Sequence, residues 1–285
     1  MSHHFELKIP SREGHLVGKL VVITGANGVE NKLCIILHGL LNHKESFVVN
    51  GIEQGLDKTY NTFTFDFTGN GLSSGKSTYS DYEQQVQDVI QVLSYFKQNG
   101  FNFENNGIQV VTKEQGIRFN VEVIIGHSKG GSIALLLASN LDCNLNVPYI
   151  INISGRVDLR EKSMARFEPE QLEKIGKGKE VVWKVGPKNR KIFISNNDFL
   201  WRDKFNLDIY NNINNQPNIK GMVTIHGMKD KVVKYQDAIL IKEMIKINHQ
   251  VFILEGVSHF FDKQGEIDQL VSIINQYLLN NKTKL

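Results

Sequence analysis

One serine has a glycine two residues away on either side: Gly126-His127-Ser128-Lys129-Gly130. An apolar run, VEVIIGHS, leads into it, and the helix-forming GGSIALLLASN follows. Strand, sharp turn and helix in that order raise a serine hydroxyl on a strained turn. Glycines at those two positions keep bulk away where strand and helix converge. The helix N-terminus behind the serine favours developing negative charge. A serine hydroxyl is a weak nucleophile at neutral pH and needs a base. His259, in LEGVSHFF, stands in a late loop just beyond the strand-like HQVFILEG. His3, His4, His15, His43 and His249 have no such context. The base in turn needs an acid to hold its tautomer. Asp230, in VTIHGMKDKVV, directly follows an apolar run, and the order Ser128, Asp230, His259 suits a nucleophile on this kind of turn. Asp262 is the main rival acid; Asp198, Asp203 and Asp208 are weaker ones.

This chemistry also needs donors for an oxyanion. LCIILHGLL ends a strand at His38-Gly39, so the Leu40 N–H can point into the site, and the Lys129 N–H supplies a second donor. Such donors contribute roughly 3–4 kcal/mol each to transition-state binding. His38 reads as a residue that positions this loop.

These residues require a frame that brings strand ends together. Residues 5–9 and 16–24 read as a hairpin around the turn at 11–14. Near-continuous apolar runs follow at 33–39, 61–67, 121–128, 147–155, 219–227 and 249–256, the signature of strands buried on both faces of a parallel sheet. Helical patterns lie between or after them at 44–58, 80–97, 131–140, 236–247 and 266–279. The alternation predicts a mostly parallel, doubly wound α/β sheet with right-handed crossovers. Two segments break it. Residues 100–120, with GIQVVTKEQGIRF, read as an extra hairpin. Residues 156–218 are too long for a structureless connection. With helical pieces at 168–175 and 198–210 and the runs VVWKV and KIFI, they read as a cap inserted into a core of residues 1–155 and 219–285. The cap's aromatics Trp183, Phe193, Phe199, Trp201 and Tyr210 are candidate substrate contacts, with the cap's own packing as the competing reading.

Composition narrows the function classes. The chain has 285 residues, 41% hydrophobic and 22% charged, with a net charge of +3, too weakly basic to imply nucleic acid. Between Arg156 and Lys191, however, eleven Lys/Arg face six Asp/Glu. A solvated surface and an anionic-ligand site are the two readings of that excess. Cys34 reads as a core residue, Cys143 lies in a polar stretch, and no disulfide framework or metal-ligand spacing is present. The sequence shows no signal-peptide pattern and no apolar run of spanning length, so a cytoplasmic protein without a membrane span is expected. A homodimer is left open.

The stretch FDFTGNGLSSGKST imitates a phosphate-binding loop. That loop needs four residues between its glycines before Lys-Ser, because its amides wrap a phosphate at fixed length. Gly71 and Gly75 are separated by three residues, and Gly69 and Gly75 by five. The dinucleotide pattern fails at Ser74. The stretch reads instead as support for the Leu40 loop.

In combination, LHGLLNHKES, FDFTGNGLSSG, GHSKGG, HGMKDKVV and GVSHFF resemble the α/β-hydrolases, in particular the cinnamoyl/feruloyl esterase-like branch, over nearly the whole chain. The resemblance implies the α/β-hydrolase fold, Ser128, Asp230 and His259 as a triad, the Leu40 and Lys129 amides as oxyanion hole, a cap after the sixth strand of the family core, and no cofactor. It departs at Lys129, where related esterases often carry Gln. The expected activity is hydrolysis of a small-molecule carboxylic ester. An acylglycerol lipase, thioesterase or peptidase would use the same triad, and a non-catalytic binding protein of this fold is the alternative of another class.

Overall fold

A computed structural model describes residues 1–25, 28–104, 107–140, 146–161, 167–185 and 190–282. In chain order, the strands and helices of the first half are β1 (Ser2–Ser11), β2 (Gly14–Gly25), β3 (Gly28–Val29), β4 (Lys32–Leu37), α1 (Phe47–Gly55), β5 (Asn61–Phe65), α2 (Tyr82–Gln98), β6 (Asn99–Glu104), β7 (Gly107–Thr112), β8 (Asn120–His127) and α3 (Lys129–Ser139). The second half has β9 (Tyr149–Ile153), α4 (Pro169–Gly176), β10 (Val181–Val185), β11 (Arg190–Ile194), α5 (Asn196–Lys204), a 3-10 helix (Leu207–Asn215), β12 (Gly221–Gly227), α6 (Gln236–Met244), β13 (His249–Leu254) and α7 (Gln264–Lys282).

The main sheet runs β1-β2-β5-β4-β8-β9-β12-β13, with β3 on β2. From β5 to β13 all neighbours are parallel; β1 and β2 add an antiparallel edge. From β4 the chain crosses to β5 on one side and then to β8 on the other. The switch therefore lies between β4 and β8, and ligands bind beyond the carboxyl ends of strands at such a point. The period-2 alternation of β4 shows why both faces are covered. Leu33, Ile35 and Leu37 pack into one core with α2 and α3, while Cys34 and Ile36 pack into another with α1 and α7. Cys34 is thus buried as its apolar context implied, and Cys143 lies outside the described residues.

The extra hairpin forms from β6 and β7, slightly upstream of the quoted run. The helix expected at 44–58 begins only at Phe47, because Lys44 is held in the preceding loop by Asp66. The helix expected at 198–210 stops at Lys204. Phe205 turns extended, and the Asn206 side chain caps a new 3-10 helix by accepting from the Asp208 amide at 2.9 Å.

The long segment after β9 divides in two. Phe167, Ile175, Val181, Ile192, Ile194 and Phe199 form a separate apolar cluster with Tyr79, and Leu40, Leu41 and Trp183 pack on it. Val157, Leu159, Tyr210 and Ile213 instead belong to the main core. The β10–β11 hairpin is joined to the core side by Tyr79 N–H donating to the Phe193 carbonyl at 3.0 Å and Phe193 N–H donating to the Ser77 carbonyl at 3.1 Å.

Candidate active site

The turn between β8 and α3 carries Ser128 at φ 55°, ψ −121°, a region L-residues rarely occupy. The flanking glycines explain how the turn closes. A Cβ on Gly126 would lie 2.1 Å from the Gly130 carbonyl oxygen, and one on Gly130 would lie 2.5 Å from that of Leu37. Ser128 Oγ donates to His259 Nε2 at 2.8 Å, and His259 Nδ1 donates to Asp230 Oδ2 at 2.6 Å. His259 and Asp230 are buried; Ser128 is half-buried and lines a cavity.

Asp230 is anchored by more than the histidine. Its Oδ1 accepts from the amides of Val232 and Val233, both at 2.8 Å, and His226 Nε2 lies 3.2 Å from its Oδ2. Burial alone would raise this carboxyl. The hydrogen bonds from His226, His259 and Val233 outweigh it and hold the group well below the usual carboxylate range. The rival Asp262 accepts from Ser258 Oγ at 2.9 Å instead. His127, the residue before the serine, bonds through Nε2 to the His259 carbonyl at 2.9 Å, so the nucleophile turn grips the histidine loop. Burial lowers the His127 imidazole to about 4, which keeps it neutral and leaves Nε2–H as the donor.

Leu40 follows β4, next to the serine turn, and lines the same cavity as Ser128 and Lys129. Lys129 opens α3, where a first-turn N–H has no acceptor within the helix. The loop carrying Leu40 is braced from behind. His38 Nδ1 donates to the Gly39 carbonyl at 2.8 Å, and His38 Nε2 accepts from the Phe67 amide at 3.1 Å. Burial lowers His38 to about 4, which suits this neutral bridging role. Buried Asp66 accepts from the Lys44 amide at 2.8 Å, Lys44 Nζ at 2.9 Å and the Leu72 amide at 3.0 Å. The glycine-rich stretch thus ties to the Leu40 loop. Its Lys76 is exposed and pairs with Glu180 at 2.6 Å.

The cavity measures about 620 Å³ and is walled by Tyr79, Tyr82, Trp183, Phe260 and the Val232–Val233 turn, with Arg156, Arg190 and Arg202 among its polar residues. Of the five aromatic candidates, only Trp183 lines it. Trp183 is paired with Ile192 on the inner face of the β10–β11 hairpin. Phe193, one residue along, points to the other face and lies under Lys76 Nζ at 4.0 Å. Phe199 is buried in the cluster behind Tyr79. Trp201 stacks on Tyr82 at 5.1 Å and borders a different surface cavity. Tyr210 is fully buried in the main core. Period and composition could not sort these five, because which face meets the cavity depends on the hairpin's register. His226 could have been found: it stands four residues before Asp230, one strand-to-loop step away. Tyr79, Tyr82, Arg190 and Arg202 carried no local signal.

Among the described residues no group of three or more His, Cys, Asp or Glu could hold a metal ion, and no helix is long and apolar enough to cross a membrane.

No protein-family model matches the sequence, and no curated protein does. Solved structures do match. A ferulic acid complex of Est1E from Butyrivibrio proteoclasticus aligns with TM-score 0.72 at 18% identity, covering 97% of this chain and 99% of that one. Alpha/beta hydrolase domain-containing protein 10 from mouse aligns with TM-score 0.66 at 17% identity, covering 97% and 99%. XC6422 from Xanthomonas campestris, described as a serine hydrolase without lid, aligns with TM-score 0.61 at 13% identity, covering 95% and 93%. Sheet order, crossover point and near-complete coverage lead to one assignment: the chain has the α/β-hydrolase fold.

Proposed function

We propose that the protein is a serine esterase that cleaves a small-molecule carboxylic ester through an acyl-enzyme. The observation that carries this reading is the unbroken relay from Ser128 Oγ through His259 to Asp230, with bonds of 2.8 and 2.6 Å, in the lining of a cavity. Ser128 Oγ attacks the ester carbonyl carbon while His259 Nε2 takes its proton. The Leu40 and Lys129 amides donate to the oxyanion. As the tetrahedral species collapses, the carbon–oxygen bond to the alcohol breaks and His259 returns the proton to it. Water, deprotonated by the same nitrogen, then attacks the acyl carbon, and the acid leaves with Ser128 restored. Asp230 stays ionised throughout, fixes the Nδ1–H tautomer and stabilises the imidazolium. Within the segment 156–218, the part built around β10 and β11 supplies a cap, in which Trp183 is the aromatic that meets the substrate. Similar structures include one with ferulic acid bound, which supports a small-molecule carboxylic ester as the substrate type.

A fluorophosphonate probe tests the nucleophile directly. The wild-type protein is expected to be labelled on Ser128 and to hydrolyse members of an ester panel; Ser128→Ala is expected to do neither. Labelling that survives Ser128→Ala would sink the assignment. A folded wild-type protein inert to esters and thioesters would point to a binding protein of this fold.

A further inference from the structure

The excess of basic residues in the cap segment is not uniform in character. On α4, Lys174 and Lys177 pair with Glu170 and Glu173 four residues earlier, with all four side chains in solvent. This is an ordinary solvated face. The cavity wall is different. Among the described residues, Lys129, Arg156, Arg190 and Arg202 line it, against one acidic residue, Glu161. Lys129 is neutralised by Asp81 behind the wall, and Arg156 by Glu161.

Among the described residues, Arg190 and Arg202 meet only neutral acceptors in the hydrogen bonds they make. Arg190 donates to the Leu41 carbonyl. Arg202, only 4% exposed, donates from Nε to Ser80 Oγ at 2.9 Å, from Nη1 to the Leu159 and Glu161 carbonyls, both at 2.9 Å, and from Nη2 to the Tyr82 hydroxyl at 3.3 Å. Its guanidinium also lies 4.4 Å from the Tyr79 ring centroid. Carbonyl dipoles and a π-face solvate these cations but do not cancel their charge. A guanidinium has five N–H donors, and among the described residues Arg190 bonds only the Leu41 carbonyl. Arg202 shares Ser80 with the buried Asp198, whose Oδ1 accepts from the Ser80 amide at 2.6 Å, so a carboxylate stands close to it; Arg190, which forms no ion pair with a described residue, leaves its positive charge facing the aromatic-walled cavity. The guanidinium fork matches a carboxylate in two parallel bonds.

We infer that the cavity beside Ser128 takes an ester that also bears a carboxylate, held by Arg190, with its apolar body against Tyr79, Tyr82 and Trp183. The inference rests on the esterase reading for the bond that is cut. Arg190 bonds to Leu41, the neighbour of the proposed oxyanion donor Leu40, so the carboxylate lies on the cap side of the reacting centre. The anion can sit on the acyl part or on the leaving alcohol; the chemistry Arg190 reads is the same.

The test measures binding, so that it does not depend on turnover. Ser128→Ala protein is titrated calorimetrically with two matched pairs. Monomethyl adipate against dimethyl adipate places the anion on the acyl side. 4-Acetoxybutanoate against its ethyl ester places it on the alcohol side. In at least one pair the anionic member is expected to bind at least tenfold tighter. That ratio is expected to fall to within twofold of unity when Arg190→Gln is added and to persist with Arg190→Lys. Equal affinities in both pairs, no binding of any of the four, or a preference that survives Arg190→Gln would overturn the inference. Hydrolysis of the neutral diester by wild-type protein is scored separately and bears only on the esterase reading.

Discussion

A Cβ placed on Gly39 would stand 3.0 Å from the Cβ of Ser128 and 3.5 Å from its Oγ. The loop after β4 therefore passes as close to Ser128 as a side-chain-free residue allows, and in the proposed mechanism this closeness lets a following amide reach the carbonyl that Ser128 attacks. Gly39→Ala forces the serine or the loop to give way by a few tenths of an ångström. The expected result is a loss of at least tenfold in kcat, since sub-ångström misplacement of oriented groups is costly. The melting temperature should move by only a few degrees, about 1 kcal/mol in a domain of this size. An unchanged kcat would show that the Gly39–Ser128 contact plays no part in positioning.

Asp230→Asn keeps the shape of the acid but offers His259 a neutral partner and permits the wrong tautomer. In the proposed mechanism kcat on a neutral ester should fall about 10³–10⁴-fold. Asp262→Asn should stay within twofold of wild type. Steady-state rates on one ester for the two variants compare the two candidate acids directly, and the reverse ranking would move the role to Asp262.

Asp66 is buried and faces buried Lys44 at 2.9 Å. Asp66→Ala strands that ammonium and leaves the Lys44 and Leu72 amides without their acceptor. A broken buried pair of this kind costs about 3–5 kcal/mol. Urea unfolding should register that loss, and kcat per folded molecule should change much less. A soluble Asp66→Ala protein of undiminished stability but without turnover would contradict the bracing role.

His38 and His127 are lowered by burial to about 4, whereas a histidine in the unfolded chain titrates near about 6.5. Between those values the unfolded state binds more protons than the folded state. Stability therefore falls as the pH drops through that window and is fully regained above it. At pH 5 each histidine costs about 2 kcal/mol relative to pH 8. Asp88 and Asp237, whose carboxyls burial raises, act in the opposite sense. The decisive comparison is thus between slopes: His127→Gln should show a shallower loss of urea midpoint from pH 7 to pH 5 than wild type. Parallel slopes would argue against a neutral, buried His127.

Much of this molecule is legible from local patterns. The runs at 33–39, 121–128 and 219–227 are apolar on both faces, and only a central parallel sheet buries both. The spacing Gly126-x-Ser128-x-Gly130 between a strand and a helix implies a closed turn; a side chain on Gly126 would strike the Gly130 carbonyl within the turn, whereas the clash at Gly130 comes from the Leu37 carbonyl of β4. Chain order then nominates Asp230 and His259. The helices expected at 44–58 and 198–210 are legible in kind but not in their limits, since the Lys44–Asp66 tie delays the start of the first and the Asn206 cap divides the second.

The sequence by itself determines the periodicity of each element and the tightness of the turn at Gly126, because both follow from interactions a few residues apart. The tertiary structure alone decided which side chains share the cavity. Trp183 faces it and Phe193 does not, although both lie on one hairpin, because the β10–β11 register turns alternate residues to opposite faces. Tyr79, Arg190 and Arg202 meet there from three separate segments. No spacing in the chain encodes that meeting; it exists only once the β10–β11 hairpin is paired to the loop before α2.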